Sequence, residues 1–137
     1  MSADCYAEIF AAYRWNVPAD FNIAQVCCTR WANDPGRIAL YWEDESGATS
    51  THTYAQLEKD AQRLANALTA LGVGRDDKVA LILPQRPETV VAHLAIYRLG
   101  AVAVPLSFLF GPEALQYRLR NAQVAVAFID PQSWCNI

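Results

Sequence analysis

The chain has 137 residues, the length of a single compact domain with a hydrophobic core of its own. Hydrophobic residues make up 53% of the sequence and charged residues 18%, and this composition excludes an intrinsically disordered chain. The formal net charge is −3 and the sequence has no run of basic residues, which excludes a basic surface for nucleic acid.

Residues 1–36 predict a helical lead-in. An amphipathic helix over residues 4–14 ends before Pro18, and Asn22 begins a second helix with Gln25 in the third position of a capping box. The apolar face expected for the second helix consists of Ile23, Val26, Cys27 and Trp31. The turn at residues 34–36 closes this lead-in.

Residues 37–53 predict a β-hairpin, with an apolar strand over residues 37–43, a turn at Gly47 and a polar strand over residues 49–53. Thr53 then begins a helix, with Gln56 completing a capping box. Leucine and alanine recur at three- and four-residue spacing as far as Leu71, and Gly72 stands where a left-handed residue commonly ends a helix.

Residues 54–137 predict an α/β unit that contains this helix. Three apolar runs, at 79–83, 101–104 and 124–129, alternate with helices over 87–99 and 112–121. Uninterrupted apolar runs are typical of strands buried on both faces of a parallel sheet. The predicted fold class is therefore α/β: N-terminal helices and a β-hairpin, then a three-strand parallel sheet with flanking helices (β-α-β-α-β), all in one domain, 1–137. The helix over 87–99 is apolar almost all round, which indicates a packing layer beyond this chain.

The sequence favours a cytoplasmic protein that does not enter a membrane. The longest apolar stretch, residues 99–110, is too short to span a bilayer, and the N-terminus lacks the basic start of a secretory signal. The four cysteines have no zinc-ligand spacing and are interpreted as reduced thiols, with a disulfide scaffold as the less favoured alternative: Cys5, Cys27, Cys28 and Cys135.

No phosphate-binding glycine motif is present, and the glycines at 72 and 74 are interpreted as a helix end. His52 and His93 are interpreted as structural. The segment 105–112 is the most informative local feature, because it leaves the carboxyl end of a predicted strand and enters a helix N-terminus. Phe108 and Phe110 there either line a pocket or pack into the core.

Five segments, taken in their order and spacing, resemble the adenylate-forming acyl-CoA synthetases (the AMP-dependent synthetase and ligase superfamily), in the acetyl- and medium-chain branch. They are RWNVP with FN (14–18, 21–22), TYAQL (53–57), LGVGRDDKVA (71–80), LPQRPE (83–88) and LGAVAVPL (99–106). The resemblance runs from about residue 13 to residue 131. It implies that the chain is the first part of the large N-terminal domain of such a ligase.

The resemblance implies a reaction of ATP, Mg²⁺, coenzyme A and a carboxylic acid in full-length members, through an acyl-adenylate and then a thioester. The motifs that perform it lie later in those proteins, so no catalytic or metal-binding residue is expected here, and no cofactor on this chain alone. By alignment to the family's helix start at 112–115, the segment Ser107, Phe108, Leu109 and Phe110 is expected on the coenzyme A side. The apolar side chains differ from the family's usual glycine- or glutamine-containing loop.

Two other functions remain open from the sequence. The chain could be a free-standing nucleotide-binding α/β module, or a fragment that associates with itself, or with the rest of a split synthetase, through an uncovered apolar face.

Overall fold

A computed structural model describes residues 5–131 and residue 134. The lead-in contains helices α1 (Tyr6–Ala12) and α2 (Ile23–Cys27) and a 3-10 turn (Thr29–Trp31), and the hairpin contains β1 (Ile38–Glu43) and β2 (Thr49–Thr53). The α/β unit contains α3 (Tyr54–Ala70), β3 (Lys78–Ile82), α4 (Pro87–Arg98), β4 (Val102–Pro105), α5 (Pro112–Ala122) and β5 (Val126–Ile129). The predicted α/β fold is confirmed.

The three-strand sheet is parallel and has the order β4-β3-β5. The central strand is buried on both faces, since Val79 and Leu81 on one face and Ala80 and Ile82 on the other are at most 2% exposed. The connection from β3 to β4 and the connection from β4 to β5 run in opposite directions. Because such connections are right-handed, α4 and α5 cover opposite faces of the sheet.

Helix α4 is buried from two sides, as its all-round apolar sequence predicts, but the expected packing layer beyond this chain is wrong for this helix, because α2 of the same chain forms the second layer. Ala92, Ala95 and Ile96 pack in a cluster with strand β3 and with α3. Leu94 belongs to a second cluster that also contains Ala24 of α2 and three other buried residues: Cys28, Leu57 and Ala61. The small side chains allow α2, α3 and α4 to approach closely.

Both ends of α3 have the capping interactions that the sequence predicts. The Thr53 hydroxyl oxygen accepts a hydrogen bond from the Gln56 N–H at 3.2 Å, and the Gln56 side-chain oxygen accepts one from the Thr53 N–H at 2.8 Å. At the other end Gly72 has a φ of +89°, and the Val73 N–H donates to the Leu68 carbonyl at 3.0 Å. Both ends satisfy backbone groups that the helix itself leaves unpaired.

The apolar face predicted for α2 is wrong. Ala24 and Cys28 are the buried residues, whereas Ile23, Val26 and Cys27 are exposed and Trp31 is half-buried. The helix is only five residues long, and Asn22 fixes its orientation by donating from Nδ2 to the Tyr97 carbonyl at 2.8 Å. The side that faces α4 therefore carries the smaller residues, four apart.

Helix α1 is shorter than the predicted 4–14, and none of its residues is buried. Ile9, Phe10 and Tyr13, the expected apolar side, are all more than half exposed. Residue 4 lies outside the described residues.

A buried carboxylate joins the lead-in to the helical layer. Glu58 of α3 is 7% exposed, and its Oε1 accepts hydrogen bonds from Arg98 Nη1 at 2.6 Å and Gln62 Nε2 at 2.8 Å. Its Oε2 accepts from the Thr29 hydroxyl at 2.9 Å. One side chain thus connects the 3-10 turn, α3 and α4, and its charge is compensated inside the protein.

Replacing Glu58 with Ala should lower the free energy of unfolding by about 1–3 kcal/mol, because Arg98, Gln62 and Thr29 all lose their acceptor. Urea denaturation measures the change. Asp60→Ala on the same helix is the control, because Asp60 is in an exposed ion pair with Arg63, and it should cost at most about 1 kcal/mol. The double variant Glu58→Leu/Arg98→Met should lose less than Glu58→Ala does, and an equal or larger loss would contradict this account.

Candidate functional site

The geometry of the sheet places one crevice at the carboxyl ends of β3 and β4. Helices α4 and α5 leave these adjacent strands toward opposite faces, so the loops at 83–86 and 106–111 diverge. Open α/β sheets bind ligands at such a switch point. A cleft of about 630 Å³ opens beside these loops, and it continues to the end of β5 and to the turn of the hairpin.

The hairpin forms one wall of this switch-point cleft. Trp42 Nε1 donates a hydrogen bond to the Gln85 carbonyl at 2.9 Å, which holds β1 against the loop that follows β3. In the turn, Asp44 Oδ1 accepts from the Ser46 hydroxyl at 2.6 Å and from the N–H groups of Ser46 and Ala48. These bonds, the Ser46 hydroxyl first, lower the pKa of Asp44.

An ion pair in the lining of the cleft joins the loop after β3 to the end of the adjacent strand β5. Asp130 directly follows β5 and is 5% exposed, and its Oδ2 lies 3.4 Å from Nη1 of the half-exposed Arg86. The Asp130 N–H donates to the Ile82 carbonyl at 3.1 Å, which extends the pairing of β5 with β3. Neither residue is among those predicted from the sequence. Each of them stands soon after the end of an apolar run, and the carboxyl ends of parallel strands lie at one edge of a sheet. This pattern in the sequence could have identified both residues.

The four residues predicted on the coenzyme A side form a tight exposed turn. The Ser107 hydroxyl oxygen accepts from the Leu109 N–H at 3.2 Å, and the Ser107 carbonyl accepts from the Phe110 N–H at 3.2 Å. Of the four, Phe108 lines the cleft. Leu109 is 79% exposed, and Phe110 lies under the Arg118 guanidinium, 4.3 Å from its ring centre. The alternative that both phenylalanines are core residues is wrong, since Phe108 is 40% exposed and Phe110 is only half-buried.

The charge of the switch-point cleft is negative. Its lining contains one cation, Arg86, and four carboxylates: Glu43, Asp44, Glu45 and Asp130. Arg86 is already paired with Asp130. Polyphosphates are bound by several cations or by converging N–H donors, so this arrangement of charges disfavours ATP.

The histidines and cysteines take structural positions. His52 Nε2 lies 2.9 Å from Ser50 Oγ on the same face of β2, and His93 Nδ1 lies 3.1 Å from the Tyr97 hydroxyl. Desolvation lowers the pKa of His93. Burial, with a smaller effect of Glu58, raises the pKa of the Cys28 thiol to about 11, so it is not a thiolate nucleophile at neutral pH. The described cysteines, Cys5, Cys27 and Cys28, are free thiols, and Cys135 lies outside the described residues.

Within residues 5–131 and 134, no three His, Cys, Asp or Glu side chains come together in a way that could hold a metal ion. No helix in this described part of the chain has the length and apolar character needed to cross a bilayer.

Comparison with known proteins identifies the family. Residues 28–136 match the family model of the AMP-binding enzymes, and the chain belongs to this family. It is 37% identical over 115 residues to the acetyl-coenzyme A synthetase of Streptomyces coelicolor, a match that covers 82% of this chain and 18% of the relative. It is 39% identical over 110 residues to the acetyl-coenzyme A synthetase of Gemmatimonas aurantiaca, covering 79% and 17%.

A solved structure gives the same assignment. The crystal structure of the Brucella canis acyl-CoA synthetase superposes with a TM-score of 0.83 at 27% sequence identity, covering 95% of this chain and 24% of that one. The chain therefore spans about a fifth of the length of the curated relatives it matches.

The half-buried His93 makes stability depend on pH. The folded-state pKa of His93 lies below the ordinary histidine value of 6.5, so the unfolded chain binds the proton more readily. The contribution of neutral His93 to stability is therefore fully present above about pH 6.5. The free energy of unfolding falls as the pH drops below that value. Denaturation profiles between about pH 5 and 8 should be flatter for His93→Gln than for the wild type, and parallel profiles would contradict the assignment.

Proposed function

We propose that this chain supplies the first part of the large N-terminal domain of an AMP-forming acyl-CoA synthetase, in the cytoplasm, where it serves as scaffold. In such a ligase a carboxylate attacks ATP to give an acyl-adenylate and pyrophosphate, and coenzyme A then displaces AMP to give a thioester. The observation that supports this most directly is the family match over residues 28–136. The resemblance to two acetyl-coenzyme A synthetases over about four-fifths of the chain adds to it.

We propose further that the chain alone is catalytically inert and retains no ATP, Mg²⁺ or tightly bound coenzyme A. Adenylation requires positive charge at the transferring phosphoryl group, supplied by cations, metal ions or N–H donors. The switch-point cleft offers one guanidinium, which Asp130 already neutralises, and three more carboxylates. The side chains that bind ATP and Mg²⁺ would have to come from further parts of a synthetase.

The contribution of this chain to the site would be the coenzyme A side. The turn at 107–110 follows the carboxyl end of β4, and its first three residues are exposed. Arg118 beside it places a cation over the Phe110 ring, next to exposed Leu109. An aromatic and aliphatic surface beside a guanidinium suits the adenine ring and the phosphates of coenzyme A.

A pyrophosphate-release assay tests the proposed inertness. With ATP, Mg²⁺, coenzyme A and acetate or benzoate, the chain should release no more pyrophosphate than the reaction without protein. The full-length acetyl-coenzyme A synthetase of Streptomyces coelicolor, assayed alongside with acetate, serves as the positive control. Turnover above background by this chain would refute the proposal.

Titration calorimetry separates the scaffold from a free-standing nucleotide module. We expect no binding of ATP or AMP at micromolar concentrations, because the cleft repels phosphates. Saturable micromolar binding of either nucleotide would favour the module instead.

The coenzyme A side is tested by NMR at millimolar coenzyme A. The amide shifts of residues 107–110 should change in the wild type, and Arg118→Ala should abolish the change. Arg63→Ala, which removes an exposed arginine on α3, is the matched control and should preserve it. Equal shifts in both variants, or none in the wild type, would contradict the assignment.

A further inference from the structure

Strand β5 is an outer strand of the three-strand sheet. Within residues 5–131 and 134 it pairs with β3 alone, so the N–H and carbonyl groups on its other side have no strand to pair with. Its four residues, 126–129, are apolar and half-buried. A strand edge that carries neither a charged residue nor a proline is open to pairing with a further strand.

The opposite edge of the sheet, at β4, is less suited to a further strand. The Val102 N–H donates to the Asp77 carbonyl at 2.8 Å. The Leu106 N–H donates to the Leu81 carbonyl at 2.9 Å, so the even-numbered residues here point their N–H groups toward β3. Because backbone groups alternate in direction along a strand, residue 105 faces the outer side. That residue is Pro105, which has no N–H, whereas every residue of β5 has one.

An apolar groove lies between α3 and α4, on the face of the sheet that these helices cover. It has a volume of about 650 Å³. Leu57 and Leu64 line it from α3 and Val91 lines it from α4. Leu83 and Phe128 line it from the ends of β3 and β5. The groove therefore reaches the outer strand of the sheet through Phe128.

The face of β5 that carries Phe128 is the face that packs under the helices. Val126 and Phe128 both pack against the cluster that contains Leu68 of α3 and Ile96 of α4. Side chains in register on neighbouring strands point to the same side of a sheet. Every second residue of a strand paired with the outer edge of β5 would therefore point to the side of the sheet where the groove lies.

We propose that a strand from the remaining part of an acyl-CoA synthetase pairs with the outer edge of β5 and places apolar side chains in the groove between α3 and α4. This inference rests on the function proposed above. The two features specify one occupant, because only an extended backbone pairs with the edge and only apolar side chains suit the groove. The match to the Streptomyces coelicolor relative covers 18% of that protein, so most of its length lies outside the match and can supply the strand.

A second copy of this chain is the less favoured occupant of the edge. Two four-residue strands joined edge to edge form few hydrogen bonds and bury far less than the roughly 1,200–2,000 Å² of stable interfaces. A strand within the same folded ligase is not opposed by the entropy lost when two molecules associate. Pairing between copies is an outcome that the experiments below detect.

Hydrogen–deuterium exchange tests the strand pairing. The chain is compared alone and in a chimera in which it replaces the matching segment of the Streptomyces coelicolor acetyl-coenzyme A synthetase. Relative to the amides of β3, those of β5 should exchange at least about tenfold more slowly in the chimera. Strand β3 is the internal control, because it is paired on both sides in the chain alone and reports any general gain in stability.

Two substitutions on α3 test whether the groove is filled. Ala67 lines the groove and is exposed in the chain alone, and the neighbouring Asn66 is exposed and outside the lining. Ala67→Glu should leave the thermal midpoint of the isolated chain unchanged. It should lower the midpoint of the chimera by at least about 3 °C, because a charge would then be buried. Asn66→Glu is the matched control and should change neither midpoint.

A ratio of β5 to β3 exchange that is the same in both proteins, or equal effects of the two substitutions, would overturn the inference. So would light scattering that shows the isolated chain as a dimer whose β5 already exchanges slowly. Acetyl-coenzyme A synthesis by the chimera reports separately on the proposed function. An inactive chimera with a protected β5 contradicts that function alone, and an active chimera with an unprotected β5 contradicts the inference alone. A chimera that does not fold contradicts both.

Discussion

The structure depends on a carboxylate that is compensated inside a layer of three helical elements. Glu58 accepts from Thr29, Gln62 and Arg98, so a side chain that would be costly to bury alone joins the lead-in to α3 and α4. The small residues Ala24, Ala61 and Cys28 pack beside it. Hydrophobic contact alone could let these helices slide past one another, whereas the directional bonds of one carboxylate fix their relative position.

The topology of the sheet beneath that layer determines where the cleft lies. The helical layer buries one face of β3, and the opposite crossovers of α4 and α5 then separate the loops at the carboxyl ends of β3 and β4. The bond from Trp42 to the Gln85 carbonyl places the hairpin over the opening. The position of the cleft is therefore a consequence of topology and of a few directional bonds, and its negative charge is a property of the loops.

The sequence predicted the elements whose cause is local. The capping box at Thr53, the left-handed Gly72 and the three apolar strands were readable because propensity and periodicity act over a few residues. The buried face of α2 was not readable, because its orientation depends on the bond from Asn22 to Tyr97, 75 residues away. The pairing of Arg86 with Asp130 was missed for the same reason, since only the sheet order brings the ends of β3 and β5 together.

The switch-point cleft and the groove between α3 and α4 differ in the chemistry of their linings. The switch-point cleft has an excess of carboxylates, so whatever completes it as a phosphate site must bring positive charge. The groove between α3 and α4 is lined mainly by apolar side chains, among them Leu57, Leu64 and Val91, and its contact with water is unfavourable. A segment that filled the groove would therefore leave the cleft electrostatically incomplete, and a cation in the cleft would leave the groove uncovered. The charge of the cleft and the apolar lining of the groove are thus separate features of this chain, and covering one leaves the other unchanged.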